Sequence, residues 1–258
     1  MQKTVHSTLS ADGVLHLTCP RSWAEMTQEQ LRYAFNVIGS GHWSSVEGRT
    51  LMLLRFTGIK VEHKVLDDGW ECSVDVVNSK GKQSRHCFVI RNWQLQDFIG
   101  QLEYVDSYET MNVRLESIQG HEAVDAMLHG VRFHDYLQME KYYQGYLQTQ
   151  KKEYAIGLAR HLYPGAEDAD VAEVTCCVMW YSYVKKHLAR FFPHFFRPAG
   201  HGKSVDWLEQ MNAQIRALTD GDITKEQAVF DKDCWRALTE LDAKSREAEE
   251  LRKKYPKS

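Results

Sequence analysis

The chain has no run of about 18 consecutive apolar residues, the minimum for a membrane-spanning helix, so no membrane partner is expected. Its opening stretch, "MQKTVHSTLSADG", lacks the apolar segment of a secretory signal, and no signal peptide is expected. Cysteine is sparse. Cys19, Cys72, Cys87, Cys176, Cys177 and Cys234 are scattered over 258 residues with no Cys-x-x-Cys pair. That density excludes a disulfide scaffold, so these thiols are expected to be small buried side chains in a reducing, intracellular compartment. A net charge of −3 argues against binding a polyanion through overall charge, which leaves only local patches. No internal repeat and no low-complexity tract occurs. With 43% hydrophobic and 26% charged residues, the composition is that of an ordinary globular protein. The length suffices for one large domain or two modest ones, each with its own core.

The motifs of common active sites are also missing. "RPAGHGKS", residues 197–204, ends as a phosphate-binding loop does, in Gly202-Lys203-Ser204. Such a loop reads G-x-x-x-x-G-K-[ST] between a strand and a helix. Here Arg197 replaces the first glycine and Pro198 follows it. The preceding "VKKHLARFFPHFF" reads as a helix end and a proline-broken aromatic turn, not as a buried strand. Gly200, His201 and Gly202 are therefore read as a flexible connection before Ser204, a helix N-cap. His121-Glu122 opens like His-Glu-x-x-His, but Asp125 stands where the second histidine belongs. His129 and His134 lie five residues apart, and Pro193 separates His187 from His194. No metal site and no cofactor is expected from such spacings. There is no G-x-S-x-G elbow, and the Cys176-Cys177 pair sits in a helix that looks buried, where a thiol is inert. Asp67-Asp68 precede Gly69 in what reads as a turn. No catalytic residue emerges.

What is present is secondary-structure signal. "GVLHLTCP" reads as a strand stopped by Pro20, and Thr27 with Gln30 forms a capping box for a helix with Leu31, Ala34, Phe35 and Ile38 on its apolar face. "SVEGRTLMLLRFTG" reads as a second helix closed by Gly58. Trp70, Cys72, Val74 and Val76 alternate with polar residues as in a half-buried strand. "NSKGK" turns the chain and "SRHCFVI" returns antiparallel. Asn92 is expected to cap a helix carrying Leu95, Phe98, Ile99 and Leu102. After a strand at "NVRLES", the rest reads as helix: "FHDYLQMEKYYQGYLQT"; "KKEYAIGLARHLYPG", stopped at Pro164-Gly165; and "DVAEVTCCVMWYSYVKKHLARFF", apolar on most faces and expected to be the buried centre of a bundle. Ser204 would cap a helix with Val205, Leu208, Met211, Ile215 and Leu218 on one face, and Thr224 with Gln227 would cap the next. The last helix starts near Asp233, keeps Trp235, Leu238 and Leu241 apolar, and then becomes charged. There the pairs Glu240–Lys244, Asp242–Arg246, Glu249–Lys253 and Glu250–Lys254 have the i,i+4 spacing that supports an exposed helix. A solvated face is the plain reading of that end, and a docking handle the other. The fold class is α+β: a small N-terminal α+β unit with an antiparallel hairpin, residues 1–110, then a larger all-helical bundle, residues 111–258.

One stretch has an unusual charge balance. Between Glu173 and Asp206 there is no acidic residue, while Lys185, Lys186, Arg190, Arg197 and Lys203 occur with His187, His194 and His201. Trp180, Tyr181, Tyr183, Phe191, Phe192, Phe195 and Phe196 are interleaved. Cations with aromatics suit a single-strand nucleic-acid platform. Cations also belong at a helix C-terminus, and the aromatics have helical spacing fit for a core. Three readings stay open: helix end plus core, a protein-binding surface, or a nucleic-acid surface. Lys185, Lys186, Arg190, Arg197, Lys203 and Trp235 are the candidate interaction residues.

Taken together, "LRYAFNVIGSGHWSSVEGRTLMLLRFTGIKV", "HDYLQMEKYYQGYLQTQ", "KHLARFFPHFF" and "LTDGDITKEQAVFDKDCWRALTELDAKSREAEEL" resemble uncharacterised proteins of bacterial prophages and phage-like elements. The ending, a Gly-Asp-Ile-Thr-Lys turn, a tryptophan on a helix and a charged helix, is similar to that of phage tail assembly chaperones. The resemblance implies a non-enzymatic adaptor that acts through protein–protein contacts with phage structural or assembly proteins, in the cytoplasm of a bacterial host or on the virion. It carries no catalytic residue. The alternatives are a nucleic-acid-binding protein using residues 180–203, and an enzyme whose site assembles only in three dimensions.

Overall fold

A computed structural model describes residues 7–10, 13–65, 68–77, 82–196 and 207–255. The chain is mixed α and β with a helical majority, and it divides into two compact units, Met1–Met111 and Asn112–Ser258.

The first unit is built on one sheet. Strands β1 (Ser7–Leu9) and β2 (Leu15–Leu17) pair antiparallel and precede the helices α1 (Gln28–Ser40) and α2 (Ser45–Thr57). Strands β3 (Lys60–Val65), β4 (Gly69–Val77) and β5 (Gln83–Arg91) follow, then helix α3 (Asn92–Gly100). β4 is the centre. It pairs antiparallel with β5 from Gly69↔Arg91 to Val77↔Gln83, antiparallel with β3, and parallel with β1 at Thr8↔Val77. The alternation of β4 buries Cys72, Val74 and Val76 on one face. The opposite face is a charge network in which Lys60 pairs with Asp75, His63 with Glu71, and Glu62 with both Ser73 and Arg85. The turn expected at "NSKGK", residues 78–82, lies outside the described residues except for Lys82.

The α1 capping box forms as expected, with Thr27 Oγ1 accepting from Gln30 N–H and Gln30 Oε1 from Thr27 N–H. The apolar face is rotated slightly from the expected one, since Val37 is buried and Ile38 only half-buried. Gly58 closes α2 in the left-handed conformation at φ 74°, which a residue without Cβ adopts freely. Asn92 is not the cap of α3 but its first residue. Arg91 holds the cap position, where its N–H donates to Gln94 Oε1 at 3.0 Å. The core of this unit gathers on Trp23, which stacks on Phe35 and meets Tyr104 edge-on. Its indole N–H is shared between the carbonyls of Tyr104 and Ser107. Two of the six cysteines depart from the buried expectation: Cys87 is exposed on β5 and Cys19 is half-buried. Burial still pushes the Cys19 thiol up to about 11.

The second unit begins with a correction. "NVRLES" is not a strand. Only β6 (Ser117–Ile118) and β7 (His121–Glu122) pair there. Leu115 is held by side chains instead, its N–H reaching Cys176 Sγ and its carbonyl accepting from Tyr163 Oη at 2.6 Å. A period-two pattern without a strand partner therefore satisfies its main chain elsewhere. Helices α4 (Phe133–Thr149), α5 (Lys152–Leu162), α6 (Val171–Phe191), α7 (Trp207–Thr219), α8 (Glu226–Phe230) and α9 (Cys234–Lys254) make up the rest. As expected, α6 is largely buried, from Ala172 to Leu188. It opens on a box of Asp170 with Glu173.

α4 and α5 form an antiparallel hairpin in which each helix seats a tyrosine of the other on a glycine. Tyr154 lies over Gly145 and Tyr142 over Gly157, so close that a Cβ on Gly157 would overlap the Tyr142 ring. Gly157→Ala is therefore expected to destabilise the protein by about 1–2 kcal/mol through overpacking, despite the gain of about 1 kcal/mol in helix propensity. Urea melts followed by circular dichroism check it; a more stable variant would show that the ring moves aside without cost.

The expected Ser204 cap and Val205 lie outside the described residues. On α7, Ile215 is buried but Leu208 is 55% exposed, so the expected apolar face is buried only at its C-terminal end. The Thr224–Gln227 box does not form. Asp222 is the stronger cap: its Oδ1 accepts both the Thr224 N–H at 3.0 Å and the Thr224 hydroxyl at 2.6 Å. A 3-10 turn over Ile223–Lys225 then precedes α8. On α9, Glu240–Lys244 stands at 4.0 Å, but Lys244 lies closer to Asp220. Asp242 Oδ1 accepts the main-chain N–H groups of His194 and Phe195 at 2.8 and 2.9 Å, and Glu249 meets His194 Nδ1 at 3.3 Å. The distal turns are solvated, and Leu251 and Tyr255 are exposed.

Candidate functional site

The described part of the basic and aromatic stretch runs along the second half of α6 and just beyond it, and one face of it points inward. Trp180 and Tyr181 are fully buried, and Val184, Leu188 and Phe192 complete the inner face. Trp180 donates its indole N–H to Ala126 O at 3.1 Å, packs edge-on against Tyr163, and carries the Arg114 guanidinium 4.9 Å above its ring. These are contacts of a core aromatic whose polar atom has found a partner.

Lys185 is half-buried and held by partners of its own. Its ammonium donates to Glu140 Oε2 at 2.8 Å and sits 4.5 Å from the centre of the Phe196 ring. Glu140, on α4, is buried, and its other oxygen accepts from Tyr181 Oη at 2.7 Å. One turn further along α4, Tyr143 Oη bonds Ser182 Oγ at 2.8 Å. A buried carboxylate is tolerated when charge and hydrogen bonds surround it, and this cluster supplies both across α4 and α6. Burial, with the Glu140 charge beside it, pushes the Tyr181 hydroxyl well above its ordinary range, so it stays protonated and donates.

Trp235 is anchored at the start of α9. Its indole N–H donates to Met127 O at 2.7 Å, and its ring stacks on His129 with centres 4.3 Å apart. Phe191 and Phe192 both meet it edge-on at 5.3 Å. The loop 125–132 beneath it is fixed by side chains near and far in the chain. Asp125 Oδ1 accepts the Met127 and His129 N–H groups, while Asp233 accepts Gly130 N–H at 2.7 Å and caps α9 through Trp235 N–H. Cys234 donates its thiol hydrogen to Leu128 O, and burial pushes that thiol up to about 12. Leu128 sits buried in the left-handed region at φ 67°, a strained conformation that persists only when its surroundings impose it.

A cleft of about 580 Å³ opens beside this loop, with Asp125, His129, Arg132, Asp135, Arg160 and His161 among its walls. Arg132 grips Asp135 with two nitrogens at 2.9 and 3.2 Å, and Arg160 donates to Glu167 O at 2.9 Å. Burial lowers the His161 imidazole below its ordinary value, which keeps it neutral at pH 7. Arg132 and Asp135 thus answer each other, while Asp125 is engaged by main-chain N–H groups and Arg160 by Glu167. Among the described residues, no group of three or more His, Cys, Asp and Glu side chains is placed to hold a metal ion, and no helix is long and apolar enough to cross a membrane.

The six candidate interaction residues are therefore dispersed in role. Lys185, Lys186 and Trp235 are half-buried, with Lys185 and Trp235 held by partners of their own, and Arg190 is exposed. Arg197 and Lys203 lie outside the described residues. What the structure adds is Phe191, the last residue of α6, 58% exposed and set edge-on to Trp235. Helical spacing alone assigns Phe191 and the buried Phe192 to one aromatic run, and only the position of α9 separates them. No protein-family model, curated protein or solved structure matches this chain.

Proposed function

We propose that this chain is a non-enzymatic adaptor of a bacteriophage or prophage, similar in action to a tail assembly chaperone, working through contacts with other phage structural or assembly proteins in the host cytoplasm or on the virion. In this reading the N-terminal α+β unit with its β4–β5 hairpin and the C-terminal helical unit are two separate contact-bearing parts. The observation that carries the reading is the exposed Phe191 on a rigidly built aromatic cluster, with Arg190 beside it in the chain. Exposed aromatics and arginines are the residues enriched in protein interfaces. The sequence resemblance supplies the class of partner. The nucleic-acid alternative loses support at Lys185, whose charge is answered by Glu140 rather than left for phosphate.

Co-expression with the products of neighbouring genes, followed by size-exclusion chromatography, tests the proposal. A tail or capsid component is expected to co-elute. A monodisperse chain indifferent to every neighbouring product would overturn it.

A further inference from the structure

We infer that β5 is a self-pairing edge of the first unit, which joins a second copy of this chain as an antiparallel β5–β5 ladder about a two-fold axis at Cys87. This goes beyond the adaptor reading and does not depend on it. Strand β5 covers the whole of one edge of β4, from Gly69↔Arg91 to Val77↔Gln83, while β3 and β1 share the other edge. Among the described residues, β4 is the only strand that pairs with β5, so the far edge of β5 is open along nine residues.

Exposed edges invite pairing with another chain, and proteins blunt them by shortening, bulging or charging them. The other two outer strands of this sheet are blunted. β2 is three residues long. β3 has a register break between Val61 and His63, and Lys60, Glu62 and Lys64 lie along it. The register of β5 with β4 is unbroken, and the strand contains no proline, glycine, lysine or acid. Of its two arginines, Arg85 reaches across β4 to Glu62 and Arg91 holds the last position. The packing beneath β5 is also unfinished. Ile59, Cys72 and Ile90 are buried, but Phe88 on β5 and Leu95 and Phe98 on α3 pack against them only half-buried. On the other face Cys87 is exposed and Val89 is 46% exposed. One more strand beside β5 continues both faces.

A second copy fits this edge because β5 matches itself. In a two-fold interface, residue i facing residue j implies j facing i. Opposed residues of a ladder share a face, so in such a pair one residue meets its own copy. Only the register centred on Cys87, the midpoint of Gln83–Arg91, pairs all nine residues. It sets Arg85 against Val89 of the second copy and Gln83 against Arg91. It also sets His86 against Phe88, extending the stack these two rings make within one chain at 6.3 Å between centres. No like charges meet. Centring on Phe88 instead opposes Arg85 with Arg91, and centring on Arg85 or His86 sets that side chain against itself. A strand of another protein is the other occupant, and the test separates it.

The test uses the full chain. Sedimentation velocity over a range of concentrations is expected to show a monomer–dimer equilibrium, with hydrogen exchange slowing at the β5 amides as the dimer fills. Bismaleimidoethane adds one thiol across each of its two maleimide double bonds and joins only thiols that lie close together. It is expected to link the dimer through Cys87, since opposed antiparallel residues stand about 4.5–5.5 Å apart at Cα. Cys87→Ser is expected to abolish the link and keep the dimer. Val89→Lys is expected to weaken dimerisation by about tenfold, because each new ammonium faces Arg85 of the other copy. Within one chain that ammonium stands opposite Glu71, so the fold is retained, as an unchanged urea melt verifies. Cys87→Lys is the second variant: it opposes two ammonium groups at the axis, faces Ser73 within its own chain, and is expected to act alike. A chain that stays monomeric at every concentration overturns the inference, as does a dimer that both lysine variants leave intact or that does not link through Cys87. Protection of the β5 amides only when another phage component is added, with this chain still monomeric, gives the edge to a foreign strand and overturns it too. Co-elution of a phage component is read separately, so the adaptor reading stands or falls without this result.

Discussion

Trp180→Ala is expected to lower the free energy of unfolding by about 3–5 kcal/mol, the range for truncating a buried aromatic. Trp180 is 1% exposed at the centre of the second unit and supports three neighbours at once. Its ring packs against Tyr163, the Arg114 guanidinium lies over its face, and its N–H holds the carbonyl of Ala126 at the entrance to the loop beneath Trp235. Truncation leaves a cavity, strips the Ala126 carbonyl of its indole donor, and removes the ring under Arg114, which keeps its bond to Val124 O. Trp180→Phe separates these effects: it keeps most of the volume and loses the hydrogen bond, and about 1–2 kcal/mol is expected for it. Urea unfolding followed by circular dichroism gives both numbers. If Trp180→Ala cost less than about 1 kcal/mol, the tryptophan would not be the core residue described, and a solvent-facing aromatic platform along α6 would return to consideration.

That same residue marks how far the sequence can be read. Local signals are legible where local chemistry decides them. The Thr27–Gln30 box, the Gly58 stop and the full extent of α4 follow from spacings within one helix. Expectations fail where a competing group overrides the local one. Thr224 gives way to Asp222, whose carboxylate is the better acceptor at a helix start. "NVRLES" has strand-like alternation, but Tyr163 at the end of α5 and Cys176 on α6 satisfy its main chain. At α9, charges spaced for pairs along one helix instead serve other segments, as Asp242 does for His194 and Phe195. The candidate site is harder still. Charge and aromaticity of residues 180–203 are visible in the sequence, but direction is not. Lys185 meets Glu140, 45 positions earlier, and Phe191 meets Trp235 on a helix that starts after it. Neither partner is inferable from one chain, because a helix carries cations near its C-terminus and aromatics on its core face whatever it later faces.

The Lys185–Glu140 pair gives the second large effect. Lys185→Met is expected to destabilise the protein by about 3 kcal/mol, because it strands a carboxylate that is 6% exposed. Glu140→Gln is expected to cost a similar amount by leaving the ammonium with the Phe196 ring and no counter-charge. The double variant is the informative one. With neither charge present, no uncompensated ion is buried, while the amide oxygen that Glu140→Gln introduces can still accept from Tyr181 Oη in place of Oε1. Its cost is expected to fall below the sum of the singles by about 1–3 kcal/mol, the coupling of residues in direct contact. This cycle also decides what the basic stretch is for. A lysine positioned to contact phosphate would leave stability unchanged when replaced and weaken binding to a polyanion column instead. A lysine that neutralises Glu140 does the reverse. Additive single costs, or a Lys185→Met variant as stable as wild type, would remove the pair from the core and restore Lys185 to the surface.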